Sequence, residues 1–201
     1  MIKGIDVSHH NGNIDFEKAR KDGVEFVIIR AGYGNSEKQI DKKFHTNYEK
    51  AKKAGLKVGA YWYSYALNKN DALEEAETFK KVIKGKKFEF PIYFDIEEQK
   101  QYLLSKYTKD SIITTFCNTL EKAGYFVGIY SYDYFLSSLY KDTKDRYTIW
   151  VANTTKNPCV NNGVIRQYSH KGKIDGISSY VDLNTSKSDF SVIIKKHFNN
   201  N

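Results

Sequence analysis

Cysteine is scarce in this chain of 201 residues, and long apolar runs are absent. The two cysteines, Cys117 and Cys159, occur in unrelated contexts, which excludes a small fold held together by disulfides. Neither lies in a nucleophile motif, so we expect neither to be catalytic. No run approaches the roughly 20 apolar residues of a membrane-spanning helix, and we expect no membrane insertion.

Targeting segments and interdomain linkers are not apparent in the sequence either. The amino terminus enters a strand-like segment at Ile2 and leaves no room for a signal peptide. We therefore expect synthesis in the cytoplasm, with release by another factor if the target lies outside the cell. No linker or low-complexity tract divides the chain, so we expect one domain over residues 1–201 and a monomer.

Positive charge and aromatic residues are abundant. The net charge is +8, and there are 16 tyrosines, 12 phenylalanines and 2 tryptophans. The charge suits any polyanionic partner, but no nucleic-acid-binding motif accompanies it, so we expect no nucleic acid partner. Many tyrosines fall at the ends of predicted strands. They either fill strands, where tyrosine is favoured, or stack on sugar rings and hydrogen-bond to sugar hydroxyls.

Short apolar strands alternate with amphipathic helices along the chain. The predicted strands cover residues 2–7, 25–30, 57–65, 90–96, 126–131, 148–152, 164–168 and 179–183. The segment 53–61 recurs at 122–130, each time as a helix end, a glycine turn and a strand. This alternation predicts an α/β fold with a largely parallel sheet, a TIM-like β/α barrel of about eight strands. After Ser131 the strands lie closer together, so we expect fewer than eight full helices.

The sharpest local signal is the segment Pro91–Glu98, which reads Pro-Ile-Tyr-Phe-Asp-Ile-Glu-Glu. Side chains alternate between the faces of a strand, which directs Tyr93, Asp95 and Glu97 towards the barrel axis and the apolar residues between them towards the helices. The carboxyl ends of barrel strands are the usual place for an active site. The alternative is that the strand ends earlier and the acids form a solvated loop.

Two further acids favour an active site. Asp6 ends the first predicted strand and Asp182 ends the last, and these strands are neighbours in a closed barrel. Four carboxyl groups then meet at one mouth, which suits protonation of a glycosidic oxygen and stabilisation of positive charge. Asp95 and Glu97 lie about 7 Å apart at Cα in a strand, a spacing that leaves both retaining and inverting hydrolysis open.

Eight short segments carry a resemblance to a known family, and they cover nearly the whole chain: Gly4–Ser8, Arg30–Gly34, Gly59–Tyr61, Phe94–Glu97, Gly128–Ser131, Trp150–Ala152, Gln167–Tyr168 and Val181–Asn184. Taken together and in this order, these segments resemble the catalytic domain of glycoside hydrolase family 25, the Chalaropsis-type lysozymes found in bacterial autolysins and phage endolysins. The resemblance implies five βα units followed by three strands. It also implies an N-acetylmuramidase that cleaves the β-1,4 bond between N-acetylmuramic acid and N-acetylglucosamine in bacterial peptidoglycan.

The resemblance also implies roles for the four acids. Glu97 matches the general acid, and we expect the neighbouring acids to raise its pKa and keep it protonated. Asp95 matches the acid that orients and polarises the acetamido group of the substrate in a retaining, substrate-assisted mechanism. Asp6 and Asp182 match the carboxylates that position this constellation and the water.

A wall of aromatic and amide side chains is expected to bind the sugars. Two departures from the family pattern, Trp62 in place of histidine and Arg166 in place of tryptophan, bear on the detailed subsite contacts. The predicted substrate-binding residues are Tyr61, Tyr63, Tyr130, Trp150 and Gln167.

Other interpretations fit the residues less well. The loop that starts at Arg30 follows a strand, but it lacks the third glycine and the helix of a dinucleotide-binding loop. His9 and His10 would point apart on an extended chain, so we expect no metal and no cofactor. A silent sugar-binding barrel would not need all four acids. A chitinase of family 18 would need further acids, one of them in place of Tyr93.

Overall fold

The computed structural model of the protein describes residues 1–155 and 163–197. Single 3-10 turns lie at His9–Asn11 and Glu37–Gln39. Within the described residues, no helix combines the length and the apolar character needed to cross a membrane. The strands are β1 (Ile2–Val7), β2 (Phe26–Tyr33), β3 (Lys57–Tyr63), β4 (Ile92–Asp95), β5 (Val127–Tyr132), β6 (Thr148–Ala152), β7 (Gly163–Gly172) and β8 (Val181–Ser186). The helices are α1 (Phe16–Lys21), α2 (Phe44–Lys53), α3 (Lys69–Ile83), α4 (Gln99–Tyr102), α5 (Lys106–Lys122), α6 (Asp133–Ser137), α7 (Lys141–Arg146) and α8 (Ser191–His197).

The eight strands close into one barrel in sequential order, so the predicted α/β barrel is confirmed. Each of the strands β1 to β5 is followed by one or two helices, whereas β6, β7 and β8 follow one another with no described helix between them. Neighbouring strands from β1 to β7 are parallel. The last strand, β8, runs antiparallel to both β7 and β1.

The direction of β8 differs from the parallel arrangement that the alternating pattern favours. Only eight residues separate Gly172 from Val181. A parallel connection needs a crossover of a dozen or more residues, so this segment is too short for one. The chain therefore turns back on itself, and β7 and β8 form a hairpin.

Local sequence signals explain where the helices begin and end. The side chain of Asn68 accepts hydrogen bonds from the amides of Asn70 and Asp71 and caps α3. Gly55 and Gly124 follow α2 and α5 with φ values of 76° and 89°, a left-handed conformation that glycine adopts without steric cost. Both copies of the repeated segment therefore have the predicted helix–glycine–strand structure.

The apolar side chains form two layers, one between strands and helices and one inside the barrel. In β4 and just after it, Ile92, Phe94 and Ile96 belong to the outer layer, and Phe94 stacks on Phe116 of α5 at 4.0 Å between ring centroids. Tyr93 belongs to the inner layer. The predicted alternation of this strand is confirmed.

Aromatic rings fill the end of the barrel where the parallel strands begin. Phe26 stacks on Phe90 at 4.3 Å, and Phe190, just before α8, packs edge-on against Phe90 at 5.4 Å. A Cβ atom on Gly4 would lie 2.3 Å from the ring of Phe26, so only glycine leaves room for that ring inside the barrel. This end is closed by hydrophobic packing, and the polar interior lies at the opposite end.

Candidate active site

The barrel brings the four predicted acids to its polar end. Asp6 lies in β1, Asp95 is the last residue of β4, and Glu97 follows two residues later. Asp182 is the second residue of β8 and pairs directly with Asp6 in the antiparallel register. The expected proximity of these two acids is confirmed. The expectation that Asp182 ends its strand was wrong, because it lies at the start of β8 and reaches the mouth since an antiparallel strand begins at the end where its parallel neighbours finish.

These acids line one open cavity of about 180 Å³. All five predicted substrate-binding residues line the same cavity, so the structure brings the predicted set together. Sequence reasoning missed three other lining residues, which are Arg30, Tyr132 and His170. Arg30 is two residues beyond Ile28, whose side chain lies inside the barrel, so strand alternation alone would have found it.

A network of hydrogen bonds between buried side chains holds Asp6 in the floor of the pocket. Gln167 and Asn184 both donate to Asp6 Oδ2, at 2.9 and 2.7 Å. The Tyr130 hydroxyl donates to Gln167 Oε1 at 2.9 Å, and Trp150 Nε1 donates to Asn184 Oδ1 at 2.8 Å. Since both ends of the Gln167 amide are used by protein groups, this residue is better placed to orient Asp6 than to bind sugar. Asn184, which sequence reasoning left without a role, does the same.

Burial sets the protonation of the two deepest acids. It raises the pKa of Asp6 to about 8, and the neighbouring Asp182 charge adds to this effect while the two amide donors oppose it. Burial also raises the pKa of Asp95 well above its ordinary value, with further contributions from Glu97 and Asp6. The described residues offer no hydrogen-bond partner to Asp95 Oδ1. At neutral pH the pocket therefore does not hold all its acids as carboxylates.

Glu97 is only partly buried and lies on the pocket wall. Its pKa is raised to about 7, first by burial, then by the charges of Glu98 and Asp182. The prediction of a raised pKa is confirmed in direction, but the predicted cause was incomplete. Glu98, which we had given no role, contributes as well as Asp182, and the Glu97 charge in turn raises the pKa of Asp95 and of Asp6.

Glu98 also contacts the predicted substrate wall. The Tyr63 hydroxyl donates to Glu98 Oε1 at 2.7 Å. This bond fixes the orientation of the Tyr63 ring at the edge of the pocket. Glu98 thus acts on the site in two ways, by its charge near Glu97 and by its contact with Tyr63.

Arg30 is held in the pocket by a buried carboxylate, Asp41. Arg30 Nε donates to Asp41 Oδ2 at 3.0 Å, and the backbone amides of His9 and Lys43 donate to the same carboxylate. The Asp41 side chain is fully buried. Hydrogen bonds to His9, Lys43 and Arg30 hold the pKa of Asp41 below its ordinary value although burial opposes them. The Arg30 charge in turn opposes the rise in the pKa of Asp95.

The adjacent histidines His9 and His10 do not have the extended backbone that we expected. His9 and His10 lie on a 3-10 turn and not on an extended chain, so their rings are tilted and only 4.0 Å apart. His9 Nδ1 is 2.8 Å from Asp41 Oδ2. On β7, His170 Nδ1 lies 3.2 Å from Asp182 Oδ1. Over residues 1–155 and 163–197, no group of three or more acidic, histidine or cysteine side chains is placed to hold a metal ion.

Three other residues that the sequence analysis singled out lie elsewhere. Trp62 is fully buried on the helix side of β3, where it stacks on Phe79 at 5.3 Å and donates to the Gly34 carbonyl. The expectation that it affects the subsite contacts was therefore wrong. Arg166 Nε donates to the Asn153 carbonyl at 2.9 Å, and Arg166 does not line the pocket. Cys117 is a buried free thiol, and Cys159 lies outside the described residues.

The family profile described as "Glycosyl hydrolases family 25" matches residues 5–177. The chain belongs to glycosyl hydrolase family 25. Its matched segment contains three of the four acids, Asp6, Asp95 and Glu97, and ends shortly before Asp182. The resemblance inferred from the sequence motifs is thereby confirmed.

Individual relatives are similar to this family 25 chain in sequence or in fold. It is 30% identical over 184 residues to the autolytic lysozyme of Clostridium acetobutylicum, covering 90% of this chain and 55% of the relative. It is similar to the modular autolysin LytC of Streptococcus pneumoniae, solved with a synthetic peptidoglycan ligand, at 30% identity and a TM-score of 0.80, covering 91% and 46%. It is also similar to the CTP1L endolysin at 26% identity and a TM-score of 0.85, covering 98% and 70%. The chain therefore spans about half the length of the first two proteins.

Proposed function

We propose that this family 25 chain is a lysozyme that hydrolyses the β-1,4 bond between N-acetylmuramic acid and N-acetylglucosamine in bacterial peptidoglycan, as part of an autolysin or phage endolysin. The proposal is supported by family membership, by the similarity to an autolytic lysozyme and by the similarity to an autolysin solved with a peptidoglycan ligand. Action on the wall after release from the cytoplasm stays a prediction.

The observation that carries the proposal is the state of Glu97. Glu97 is a partly buried residue on the wall of a pocket of acids, its Oε2 atom has no hydrogen-bond partner among the described residues, and its pKa of about 7 keeps a large fraction protonated near neutral pH. A general acid must hold a proton at the working pH and must lie where the substrate binds, and the raised pKa of Glu97 and its position on the pocket wall support this role. In this proposal Glu97 donates its proton to the oxygen of the leaving sugar.

Asp95 suits the orientation of the acetamido group. Its Oδ1 atom is buried without a partner among the described residues, and an amide N–H of the substrate would supply one. An arriving N–H donor favours the carboxylate form of Asp95. Because two adjacent carboxyl groups resist ionising together, an ionised Asp95 favours the proton on Glu97. Substrate binding would therefore place the proton on the residue that has to donate it.

Bond changes in the proposed mechanism proceed in two steps. The acetamido oxygen attacks the anomeric carbon while the bond to the leaving oxygen breaks, and that oxygen takes the proton of Glu97. The Glu97 carboxylate then removes a proton from water, which attacks the anomeric carbon and restores the acetamido group. The sugar keeps its anomeric configuration, as in other retaining glycosidases. Asp6 and Asp182, which pair across β1 and β8, form the floor of the pocket in which both steps take place.

Digestion of purified peptidoglycan tests the proposal. We expect fragments whose new reducing ends are N-acetylmuramic acid, identified by mass spectrometry after borohydride reduction. Glu97→Gln should lower the rate at least about a hundredfold while the protein stays folded, since a general acid contributes that much or more. Glu17→Gln, on the exposed face of α1, is the matched control.

Each alternative gives a different result. Reducing ends of N-acetylglucosamine would identify a glucosaminidase. Binding to the wall without release of fragments would identify a silent sugar-binding barrel. Full activity in a folded Glu97→Gln variant would remove Glu97 from the role of general acid.

A further inference from the structure

Three tyrosines form a continuous strip that leads out of the pocket across β2 and β3. We call Tyr33, Tyr63 and Tyr65 the tyrosine strip. Tyr63 lines the pocket and pairs with Tyr33 in the parallel register of β2 and β3. The ring of Tyr65 lies 5.3 Å from that of Tyr63 and 6.1 Å from that of Tyr33, both in edge-on contacts. The strip therefore begins at the acids and continues beyond the pocket wall.

The outer part of the strip is open to solvent. The Tyr65 residue is 49% exposed, and Tyr33 is partly exposed. Edge-on packing leaves ring area uncovered that face-to-face stacking would bury. Single exposed aromatic residues are common on protein surfaces and need no explanation. A contiguous set that joins a catalytic pocket is a stronger indication of ligand contact.

The backbone that carries Tyr65 is held rigidly from below. The Tyr65 amide donates to Glu75 Oε1 at 2.8 Å, and the Ser64 amide donates to the Asp95 carbonyl at 2.9 Å. Gln101 Nε2 donates to the carbonyls of Ser64 and Ala66, at 3.2 and 3.1 Å. Glu75 and Gln101 are buried. Two buried polar side chains thus fix the backbone of Tyr65 relative to Asp95, and a backbone that is ordered in advance loses little entropy on binding.

The surroundings of Tyr65 favour a neutral ligand with hydroxyl groups. The ionisable groups that act on its hydroxyl are Glu98, Tyr33, Arg30 and Glu75, of which two are acids and one is a base. This balance does not attract a carboxylate, so the unit that fits is N-acetylglucosamine, the neutral sugar of the strand, and not N-acetylmuramic acid with its lactyl carboxylate. A pyranose ring offers an apolar face for the tyrosine rings and hydroxyl edges for the phenol groups.

We propose that Tyr65 and Tyr33 form a distal subsite that stacks on a sugar unit of the same glycan chain, beyond the two units joined by the bond that is cleaved. The inference rests on the proposed function, because a glycan chain bound at the acids is what would extend along the tyrosine strip. The subsite adds affinity for long chains and leaves the cleavage of short chains unchanged.

Chain-length dependence tests the distal subsite. The substrates are peptide-free peptidoglycan glycan strands, separated into the shortest strand that is cleaved and strands several units longer. We expect Tyr65→Ala to lower kcat/KM on the long strands roughly three- to tenfold, the value of one aromatic stacking contact, and to leave the short strand unaffected. Tyr65→Trp should retain the preference for long strands. Tyr168→Ala removes a ring of similar exposure on β7, outside the pocket lining, and is the control.

Two outcomes would overturn the subsite while the proposed function stands. Equal activity of Tyr65→Ala and the parent protein at all lengths would show that Tyr65 contacts no sugar. An equal loss at all lengths would place Tyr65 in the cleavage site itself. If the parent protein cleaves no strand, the proposed function fails, and calorimetric titration with the same strands then tests the subsite alone. An affinity that rises with strand length in the parent but not in Tyr65→Ala supports the subsite. An affinity that does not differ in this way overturns it.

Discussion

The raised pKa of Asp6 can be tested by measuring how the stability of the parent protein and of Asp6→Asn depends on pH. Burial raises the pKa of Asp6 from 3.8 to about 8 in the folded protein. Between these two values the folded chain binds one proton that the unfolded chain has released. A raised pKa in the folded state means that stability is complete at low pH and is lost as the pH rises towards 8.

The size of the effect follows from proton linkage. One extra proton bound by the folded state lowers the free energy of unfolding by about 1.4 kcal/mol for each pH unit gained. From pH 5 to pH 7 the Asp6 contribution is therefore about 3 kcal/mol. For a chain of this size, that corresponds to roughly 6 to 12 °C in Tm. Asp6→Asn keeps an oxygen that can accept from Gln167 and Asn184, and it has no proton to lose.

The assay is thermal unfolding, followed by circular dichroism, of the parent protein and Asp6→Asn at pH 5, 6 and 7. We expect the parent to lose stability relative to the variant as the pH rises. Asp142→Asn makes the same replacement at an exposed acid at the start of α7, and its stability should depend on pH as that of the parent does. A difference between parent and Asp6→Asn that stays constant from pH 5 to pH 7 would refute the raised pKa of Asp6.

Three further predictions concern neighbouring features of the barrel. Glu98→Gln removes a charge that raises the pKa of Glu97, so the basic limb of the kcat/KM profile should move to lower pH; an unmoved limb would exclude this coupling. Gly4→Ala places a methyl group against an aromatic ring inside the barrel and should lower the free energy of unfolding by about 1 to 3 kcal/mol in urea titrations, whereas parent-like stability would show that the ring can move away. Asp41→Asn removes the charge that holds Arg30 and should reduce kcat on peptidoglycan more than wall binding; equal loss of both would point to a general folding defect.

The parts of the site that follow from strand geometry were predictable from sequence. Side chains alternate with a period of two along any strand, so the inward placement of Asp95 was fixed once the strand was recognised. Barrel closure then brings the first and last strands together, which predicts the contact between Asp6 and Asp182. The same period also points to Arg30, although it was not used for that residue.

Features that depend on chain direction and loop shape were harder to predict. The alternating pattern of β8 is the same whichever way the strand runs, so only its short connection to β7 indicates the antiparallel direction, and that signal was not used. The effect of Glu98 on Glu97 depends on how the chain turns after β4. The pairing of Arg30 with Asp41 crosses a loop whose path the sequence does not define. In each case the path of the backbone determines which side chains meet, and no periodic pattern in the sequence indicates that path.

Closure of the barrel by β1 and β8 has a consequence for biosynthesis. Asn184 and Asp6, which are hydrogen-bonded in the pocket floor, are separated by 178 positions in the chain. Contacts between such distant segments form late in folding because a long loop must close first. During translation, β1, which carries Asp6, cannot pair with β8 until nearly all of the described chain has left the ribosome. We therefore expect nascent chains without β8 to have no hydrolytic activity on peptidoglycan, because their pocket floor is incomplete.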